Sequence, residues 1–300
     1  MASGPADATY GSLRARALGK MRAFTQEVRL EQSVFALPIA YATLLLAEGG
    51  LPSLSDFLWI TLAMVGIRNF GMAINRVVDR AIDARNPRTA GRGLVSGRIR
   101  GWEMALFLAV TVAMFVVAVY NLSLWAQRLW PLAVAMVTLY PYAKRFTWAS
   151  NLGLGAIHAT VPNGVWIAVT GGLSPESLLL GLGSGSWAAG FDLIYSTSDV
   201  EVDRRQGLHS IPARFGVPVA LWLAKALHTV TVASLTVAGV LLGVGALYYV
   251  GVVAFLLLLV VEHRMVSPRD LSRVGTAFFT MNGIISMAFM GFVATETLAR

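Results

Sequence analysis

Cysteine is absent from this chain of 300 residues. Its absence excludes structural disulfides, thiolate metal sites and cysteine nucleophiles, and it leaves the redox compartment of the protein undecided. Charged residues are also scarce, at 13% of the chain, whereas soluble domains carry roughly 25%. Because 56% of the residues are hydrophobic and the mean hydropathy is +0.65, the composition excludes an ordinary soluble domain and indicates a polytopic membrane protein.

Short polar connections separate the apolar segments, which predicts an all-α integral membrane protein folded as a single domain over residues 1–300. Nine transmembrane helices are predicted, at residues 32–48, 56–75, 103–122, 128–143, 147–170, 176–197, 215–242, 246–262 and 274–295. Most of these segments are near the roughly 20 residues that a helix needs to cross a bilayer. Residues 226–261 carry no charge over 36 positions. We divide them between Gly243 and Gly245, because one helix of that length would overshoot the membrane.

The basic residues lie almost entirely in alternate connections. The amino-terminal segment and the connections after predicted spans 2, 4, 6 and 8 hold 20 of the 24 lysines and arginines, whereas the opposite side holds Arg128 and Arg300. This distribution predicts a multi-pass protein of the cell membrane, with a cytoplasmic amino terminus and an outer carboxyl terminus. It also accounts for the net charge of +8, so we expect no nucleic-acid partner. Residues 1–31 are predicted to form a basic amphipathic segment on the membrane surface, with a frayed tail as the alternative.

Two acidic motifs follow predicted spans 2 and 6. In the first, Asn75, Asp79 and Asp83 recur every four residues, about one helical turn, which predicts that their side chains share one helix face. The second motif has the same spacing, and its polar residues are Asp192, Tyr195, Asp199 and Asp203. The offset between the motifs is 120 residues. It predicts two tandem halves, each with one acidic motif (75–83 and 192–203) on the cytoplasmic side.

The residue types in these motifs favour a hard cation beside an anionic substrate. Carboxylate and amide oxygens, without cysteine or paired histidines, favour Mg²⁺ over zinc or copper. Because Mg²⁺ usually takes one or two carboxylates and completes its shell with water and phosphate oxygens, two facing motifs predict a clamp for one diphosphate. Cations suited to phosphate oxygens lie near the acids in sequence or end predicted span 4: Arg85, Arg88, Arg92, Lys144, Arg145, Arg204 and Arg205.

Four sequence elements resemble those of the UbiA superfamily of membrane prenyltransferases. NRVVDRAIDARNPRT is similar to its N-x-x-x-D-x-x-x-D signature, including the pair Arg88 and Thr89. DLIYSTSDVEVDRRQGLHSIPARFG resembles its second acidic motif, in the form of 4-hydroxybenzoate polyprenyltransferase-like members from archaea and bacteria. LYPYAKRFT (residues 139–147) and RLEQSVFALPIA (residues 29–40) resemble two further elements. The chain has Arg76 and Gly93 where many members have aspartate and proline.

The resemblance implies a helical bundle around a central cavity, with the active site at the cytoplasmic end and a lateral opening for a lipid tail. It implies that five residues hold Mg²⁺ and the diphosphate and act in catalysis: Asn75, Asp79, Asp83, Asp199 and Asp203. It further implies substrate contacts from Arg88, Arg92, Lys144 and Arg145. We also expect substrate contacts from two residues of the second motif and two that follow it: Asp192, Tyr195, Arg205 and His209.

The implied reaction is Mg²⁺-dependent transfer of a polyprenyl group from a polyprenyl diphosphate, for example geranylgeranyl diphosphate, to an aromatic acid acceptor within the lipid bilayer. The preferred acceptor is 4-hydroxybenzoate, in quinone biosynthesis. The alternatives are 1,4-dihydroxy-2-naphthoate, a futalosine-derived menaquinone precursor and geranylgeranylglyceryl phosphate. A cation-coupled transporter is more distant, because its acids would lie near the bilayer midplane. The roles of His158, Lys225 and His228 stay open.

Overall fold

The structure, a computed structural model, describes residues 19–20, 23–27 and 33–300. Its long helices are α1 (Ser33–Glu48), α2 (Leu54–Val78), α3 (Gly101–Tyr120), α4 (Leu124–Leu139), α5 (Ser150–Thr170), α6 (Pro175–Ser196), α7 (Val217–Leu242), α8 (Ala246–Met265) and α9 (Asn282–Leu298). Shorter helical turns lie at Arg80–Asp83, Tyr140–Arg145, Thr197–Asp199, Val200–Gln206, Ile211–Phe215, Val274–Thr276 and Ala277–Met281. The regular structure of the described residues is helical, as predicted, apart from one isolated β-bridge between Ser267 and Asp270.

Six helical segments of the described chain are long and apolar enough to cross a membrane. They are α2, α3, α5, α7, α8 and the continuous stretch Val274–Leu298 that ends in α9. The other three predicted spans correspond to α1 and α4, with 16 residues each, and α6, with 22. For these three helices, crossing of the membrane stays a prediction. The predicted amphipathic segment 1–31 lies outside the described residues, except for residues 19–20 and 23–27, which are helical.

The predicted division of the long uncharged stretch is confirmed. α7 ends at Leu242, and Gly243 follows with φ +60°, in the left-handed region. Only glycine adopts this conformation readily, and it commonly ends a helix. α8 begins at Ala246 after two further residues, so the chain reverses direction here instead of continuing as one helix.

α6 lies between α5 and α7 and packs closely against both of them. A Cβ atom added to Gly155 in α5 would lie 2.6 Å from the carbonyl oxygen of Gly185 in α6, so the two backbones nearly touch. A Cβ atom added to Gly190 would lie 2.3 Å from the His228 ring of α7. Small residues allow helices to approach this closely inside a membrane protein. The packing fixes the end of α6, from which the second acidic motif extends, while α2 packs against α3 and carries the first motif.

Candidate active site

The first acidic motif lies where α2 ends. α2 ends at Val78, Asp79 has a non-helical backbone (φ −89°, ψ 2°), and the short helix Arg80–Asp83 follows. The amide of Asp79 still donates to the Asn75 carbonyl at 2.9 Å, and the amide of Asp83 donates to the Asp79 carbonyl at 2.8 Å. The three predicted side chains therefore face one cavity, as expected from their spacing, but they lie on two helical pieces and not on a single helix.

The second acidic motif has the same backbone arrangement. α6 leads into the turn Thr197–Asp199, in which Asp199 has φ −106° and ψ 3°, and the helix Val200–Gln206 follows. Asp79 and Asp199 thus share one backbone conformation, each between a longer helix and a short one. The division of the chain into two tandem halves stays a prediction.

Both motifs line one polar chamber of about 250 Å³. The predicted site residues that line it are Asn75, Asp79, Asp83, Arg88, Arg92, Lys144, Asp192, Tyr195, Asp199, Asp203 and His209. The structure therefore places residues from the two halves of the chain around a single space. Carboxylates and cations both line its walls, as a site for a metal-bound anion requires.

Two predicted site residues do not line this chamber. Arg145 lies beside it, where Nη2 donates to the Val78 carbonyl at 2.6 Å and lies 4.0 Å from Oδ1 of Asp79. The Arg205 side chain is 80% exposed and pairs with Glu201 of its own helix at 3.2 Å. A substrate contact from Arg205 would require this side chain to leave Glu201.

Asp79 is buried, with 3% of its surface exposed, and it forms an ion pair with Lys144. Lys144 lies in the turn Tyr140–Arg145 after α4, so the cation reaches Asp79 from a separate element. Burial raises the pKa of the Asp79 carboxyl, and the Lys144 ammonium opposes this rise. Among the described residues, Oδ1 of Asp79 has no hydrogen-bond partner. A buried carboxylate oxygen of this kind is available to a cation.

Arg88 connects the loop after the first motif to the second motif. Its Nη2 and Nε donate to the Asp199 carboxylate at 2.7 and 3.3 Å, and its Nη1 donates to the Tyr195 hydroxyl at 2.8 Å. The guanidinium thus uses the planar fork that also suits phosphate oxygens. Tyr195 packs in turn on Phe278, with ring centroids 4.3 Å apart.

Two further acids of the chamber, Asp83 and Asp203, face a cation and a hydroxyl. Asp83 forms an ion pair with Arg92, and Asp203 accepts a hydrogen bond from the Ser210 hydroxyl at 2.8 Å. Burial raises the pKa of the Asp203 carboxyl, and the Ser210 hydrogen bond opposes the rise. The chamber therefore holds cations that can exchange a carboxylate for a phosphate oxygen.

A second chamber of about 340 Å³ adjoins the polar one, between α2, α5 and α6. The two chambers share lining residues, among them Asn75, Arg88 and Tyr195. A third chamber of about 350 Å³, lined mostly by aliphatic and aromatic side chains, shares Met64 and Val161 with the second. A polar head region followed by a long apolar path suits an amphiphile with an anionic head and a hydrocarbon tail.

Sequence reasoning missed three residues that line the second chamber, Arg68, Arg76 and Tyr140. Arg68 lies in α2, seven residues before Asn75, and therefore about 10 Å deeper along the helix. An arginine within an apolar span usually faces a cavity or a partner. The position of Arg68 in the sequence could therefore have identified it as a candidate site residue. His158 also lines the second chamber. His228 instead lies beside His263, with Nδ1 and Nε2 2.9 Å apart.

The side-chain oxygen ligands in the chamber suit Mg²⁺, although the protein alone does not complete the coordination shell of an ion. Among the described residues, no group of three or more histidine, cysteine, aspartate or glutamate side chains could hold one metal ion. The donors in the chamber are nevertheless oxygen atoms, and Oδ1 of Asp79 is buried without a hydrogen-bond partner in the described chain. Mg²⁺ accepts such ligands one or two at a time and shares them with substrate phosphates.

Comparison with known proteins identifies one family. Residues 36–284 match the UbiA prenyltransferase family. The chain is 31% identical over 255 residues to a 4-hydroxybenzoate octaprenyltransferase of Marinobacter nauticus, covering 85% of this chain and 86% of that protein. It is 33% identical to a UbiA homolog from Aeropyrum pernix K1, whose apo structure superposes with a TM-score of 0.81 over 90% of this chain and 99% of that one.

A more distant structure has the same fold. It is a UbiA homolog from Archaeoglobus fulgidus bound to GPP and Mg²⁺, with 19% sequence identity and a TM-score of 0.73. The similarity covers 91% of this chain and 99% of that one. The helical arrangement is thus retained where little sequence identity is left.

Proposed function

Because the chain belongs to the UbiA prenyltransferase family, we propose that this multi-pass membrane enzyme transfers a polyprenyl group from a polyprenyl diphosphate to an aromatic acid, with Mg²⁺. The preferred acceptor is 4-hydroxybenzoate, which the names of the relatives support. The observation that carries the proposal is the polar chamber lined by both acidic motifs, continued by chambers of decreasing polarity. The polar chamber suits the diphosphate, and the less polar chambers suit the hydrocarbon tail.

The polar chamber would bind the diphosphate. Five residues would hold Mg²⁺: Asn75, Asp79, Asp83, Asp199 and Asp203. When bound, Mg²⁺ neutralises negative charge on the diphosphate leaving group. Arg88, Arg92 and Lys144 line the same chamber and now pair with carboxylates. Their cationic groups would turn to phosphate oxygens and stabilise the charge that develops as the allylic C–O bond breaks.

The second chamber would host the reacting carbon atoms. Its walls include the aromatic rings of Tyr140, Phe191, Tyr195 and Phe278. Such rings exclude water and stabilise an allylic cation through their faces. The acceptor ring then attacks the allylic carbon and loses a proton. Asp192 lines both chambers and accepts a hydrogen bond from Asn151 at 2.9 Å, which makes its carboxylate our proposed acceptor for that proton.

Arg68 is proposed to bind the carboxylate of the aromatic acid. It is a cation in an otherwise largely apolar part of the second chamber, and charge-assisted pairs are strong in such surroundings. We expect Arg68→Met to raise the KM for 4-hydroxybenzoate about 100-fold and to leave the KM for the prenyl diphosphate within about 2-fold. Initial rates with each substrate varied in turn measure both constants.

Arg68→Lys is the matched variant for this prediction, because it keeps the charge but loses the planar fork. We expect its KM for the acceptor to lie between those of the wild type and Arg68→Met. An unchanged acceptor KM in Arg68→Met would contradict the assignment.

The pH dependence of activation by Mg²⁺ provides another prediction. A carboxylate must lose its proton to bind a cation, and burial raises the pKa of Asp79 whereas Lys144 lowers it. The Mg²⁺ concentration for half-maximal activity should therefore increase as the pH is lowered. Lys144→Met removes the ammonium that lowers the pKa of Asp79. The Mg²⁺ concentration for half-maximal activity should therefore begin to increase at a higher pH than in the wild type. Mg²⁺ titrations between pH 5 and 8 measure the shift; Lys144→Arg, which keeps the charge, should resemble the wild type.

The proposed orientation places the amino terminus and the polar chamber at the cytoplasmic face and the carboxyl terminus outside. The distribution of basic residues supports it. In this orientation the diphosphate would enter from the cytoplasm, and the apolar chambers would extend toward the bilayer interior.

The central experiment is an assay of purified protein with labelled geranylgeranyl diphosphate, Mg²⁺ and a panel of acceptors. The panel contains 4-hydroxybenzoate, 1,4-dihydroxy-2-naphthoate, a futalosine-derived precursor and geranylgeranylglyceryl phosphate. We expect a prenylated 4-hydroxybenzoate that disappears when EDTA removes Mg²⁺. Turnover of another acceptor alone would replace the proposed substrate. Cation flux in liposomes without any prenyl transfer would support the transporter alternative.

A further inference from the structure

The loop that follows the first acidic motif is held by the amino-terminal part of the chain. From its contacts, we propose that Glu27 is a positioning residue that fixes Arg92 and Arg76 in the walls of the polar chamber. The proposal rests on the proposed function, because it assigns these arginines to a site for a prenyl diphosphate. It extends that function to a segment that sequence analysis placed on the membrane surface.

The Glu27 carboxylate binds the backbone of the loop. Oε2 accepts a hydrogen bond from the Gly93 amide at 2.6 Å, and Oε1 lies 3.5 Å from the Leu94 amide. Glu27 is 3% exposed, so water competes little for these amides. A buried carboxylate that accepts backbone N–H groups fixes the peptide that donates them.

Gly93 is adapted to this contact. A Cβ atom at this position would lie 2.8 Å from the Ile99 side chain and 3.1 Å from Oε2 of Glu27. Any larger residue would push the carboxylate and Ile99 apart, and proline would also remove the donated N–H. The glycine therefore allows Glu27 to approach the main chain directly.

Arg92 precedes Gly93, and this is how Glu27 reaches the chamber. Arg92 forms its ion pair with Asp83, and both residues line the polar chamber. With the Gly93 peptide fixed, the Arg92 side chain can exchange Asp83 for a phosphate oxygen by rotation about its own bonds. Without that anchor, the loop would have to be ordered during substrate binding, at a cost in affinity.

Arg76 is the second residue through which Glu27 acts. The backbone carbonyl of Glu27 accepts a hydrogen bond from Nε of Arg76 at 3.2 Å. Arg76 is buried and lines both the polar chamber and the one that adjoins it. It follows Asn75, the first residue of the motif, so Glu27 contacts the motif at its beginning and beyond its end.

The segment that carries Glu27 is itself anchored. Phe24 packs on Phe107 of α3, with ring centroids 5.4 Å apart, and Ala23 belongs to a buried cluster with Leu94 and Ile99. Lys20 forms an ion pair with Glu103 at the beginning of α3. These contacts attach residues 19–20 and 23–27 to the protein, so that Glu27 can act as a fixed support for the loop.

Hydrogen exchange tests the contact without reference to catalysis. In Glu27→Ala, the amides of Gly93 and Leu94 should exchange at least about 10-fold faster, measured by mass spectrometry on peptides that cover residues 92–99. Glu27→Gln keeps one acceptor oxygen and should show a smaller acceleration. Val293→Ala is the control for general stability, since Val293 in α9 is fully buried in a cluster that does not include the loop or the segment that carries Glu27. Unchanged exchange in Glu27→Ala would overturn the proposal, and if that variant does not fold, unchanged exchange in Glu27→Gln would do so.

Kinetics then separate positioning from general stability. We expect Glu27→Ala to raise the KM for geranylgeranyl diphosphate about 10-fold and to leave the KM for the aromatic acid within about 2-fold, with partial rescue in Glu27→Gln. Val293→Ala should lower the melting temperature but not change either KM. Equal KM effects in Glu27→Ala and Val293→Ala would contradict a positioning role. A wild type without prenyl transfer would overturn the proposed function, and the exchange result would still decide the contact.

Discussion

Asp79→Asn is expected to abolish prenyl transfer, lowering kcat/KM by about 1,000-fold or more. The substitution removes a carboxylate proposed to hold Mg²⁺, and it leaves the ammonium of Lys144 facing an uncharged amide. Asp79 is almost completely buried, so solvent water cannot compensate for the lost negative charge. Initial rates with labelled geranylgeranyl diphosphate measure the loss across a range of Mg²⁺ concentrations.

The matched control for this variant is Asp56→Asn. Asp56 lies in the first turn of the same helix, α2, near Ser53 and far from both acidic motifs. We expect its activity to stay within about 2-fold of the wild type. Thermal unfolding in detergent should show both variants folded. Full activity of Asp79→Asn at any Mg²⁺ concentration would exclude Asp79 from the reaction.

Arg88→Lys is expected to lower kcat/KM about 100-fold, although it preserves the charge. Arg88 contacts Asp199 through two nitrogen atoms and the Tyr195 hydroxyl through the third. A lysine ammonium cannot reproduce this planar arrangement, nor can it bind two phosphate oxygens in the same way. The double variant with Tyr195→Phe should lose less than the sum of the two single effects, because both remove the same contact.

Arg85→Lys is the control for Arg88→Lys. Arg85 lies three residues earlier, where its Nε donates to the carbonyl of Ala81 and its side chain is exposed. We expect this variant to keep its activity within about 2-fold. Equal losses in the two lysine variants would contradict a specific role for the Arg88 guanidinium.

The sequence was sufficient to predict the helical fold class and the acids that line the polar chamber. Long apolar segments in a chain with few charges leave helices as the main way to satisfy backbone hydrogen bonds in lipid. The spacing of Asp79 and Asp83, repeated at Asp199 and Asp203, identified acids that line one chamber in the structure. The break between α7 and α8 was predictable because glycine can adopt the left-handed backbone.

Other features depend on packing between distant segments and were not predictable. Lys144 pairs with Asp79 across 65 residues, because the turn after α4 lies beside the end of α2. The backbone break at Asp79 is invisible in a four-residue spacing, since both hydrogen bonds around it keep the helical pattern. Glu27 lies in a segment whose amphipathic pattern is the same whether its apolar face meets lipid or protein.

Arg68 illustrates a third limit. Its position within an apolar span indicated a cavity, but the sequence offered no way to tell which helices form the walls. In the structure, α5 and α6 form walls of the chamber that Arg68 lines. The distance of Arg68 from the acidic motif then separates a proposed acceptor site from a proposed diphosphate site.

The ion pair of Arg88 with Asp199 also has a consequence for biogenesis. The two residues are 111 positions apart, so the ribosome releases the first acidic motif well before the second. The pair can form only after α6 and the turn Thr197–Asp199 that follows it have been synthesised. A ligand that contacts both motifs would therefore bind the assembled bundle and not its folding intermediates. By mass action it would favour completion of folding, by about 2.7 kcal/mol at a concentration 100 times its Kd, and substrate supply would then influence how much enzyme accumulates in the membrane.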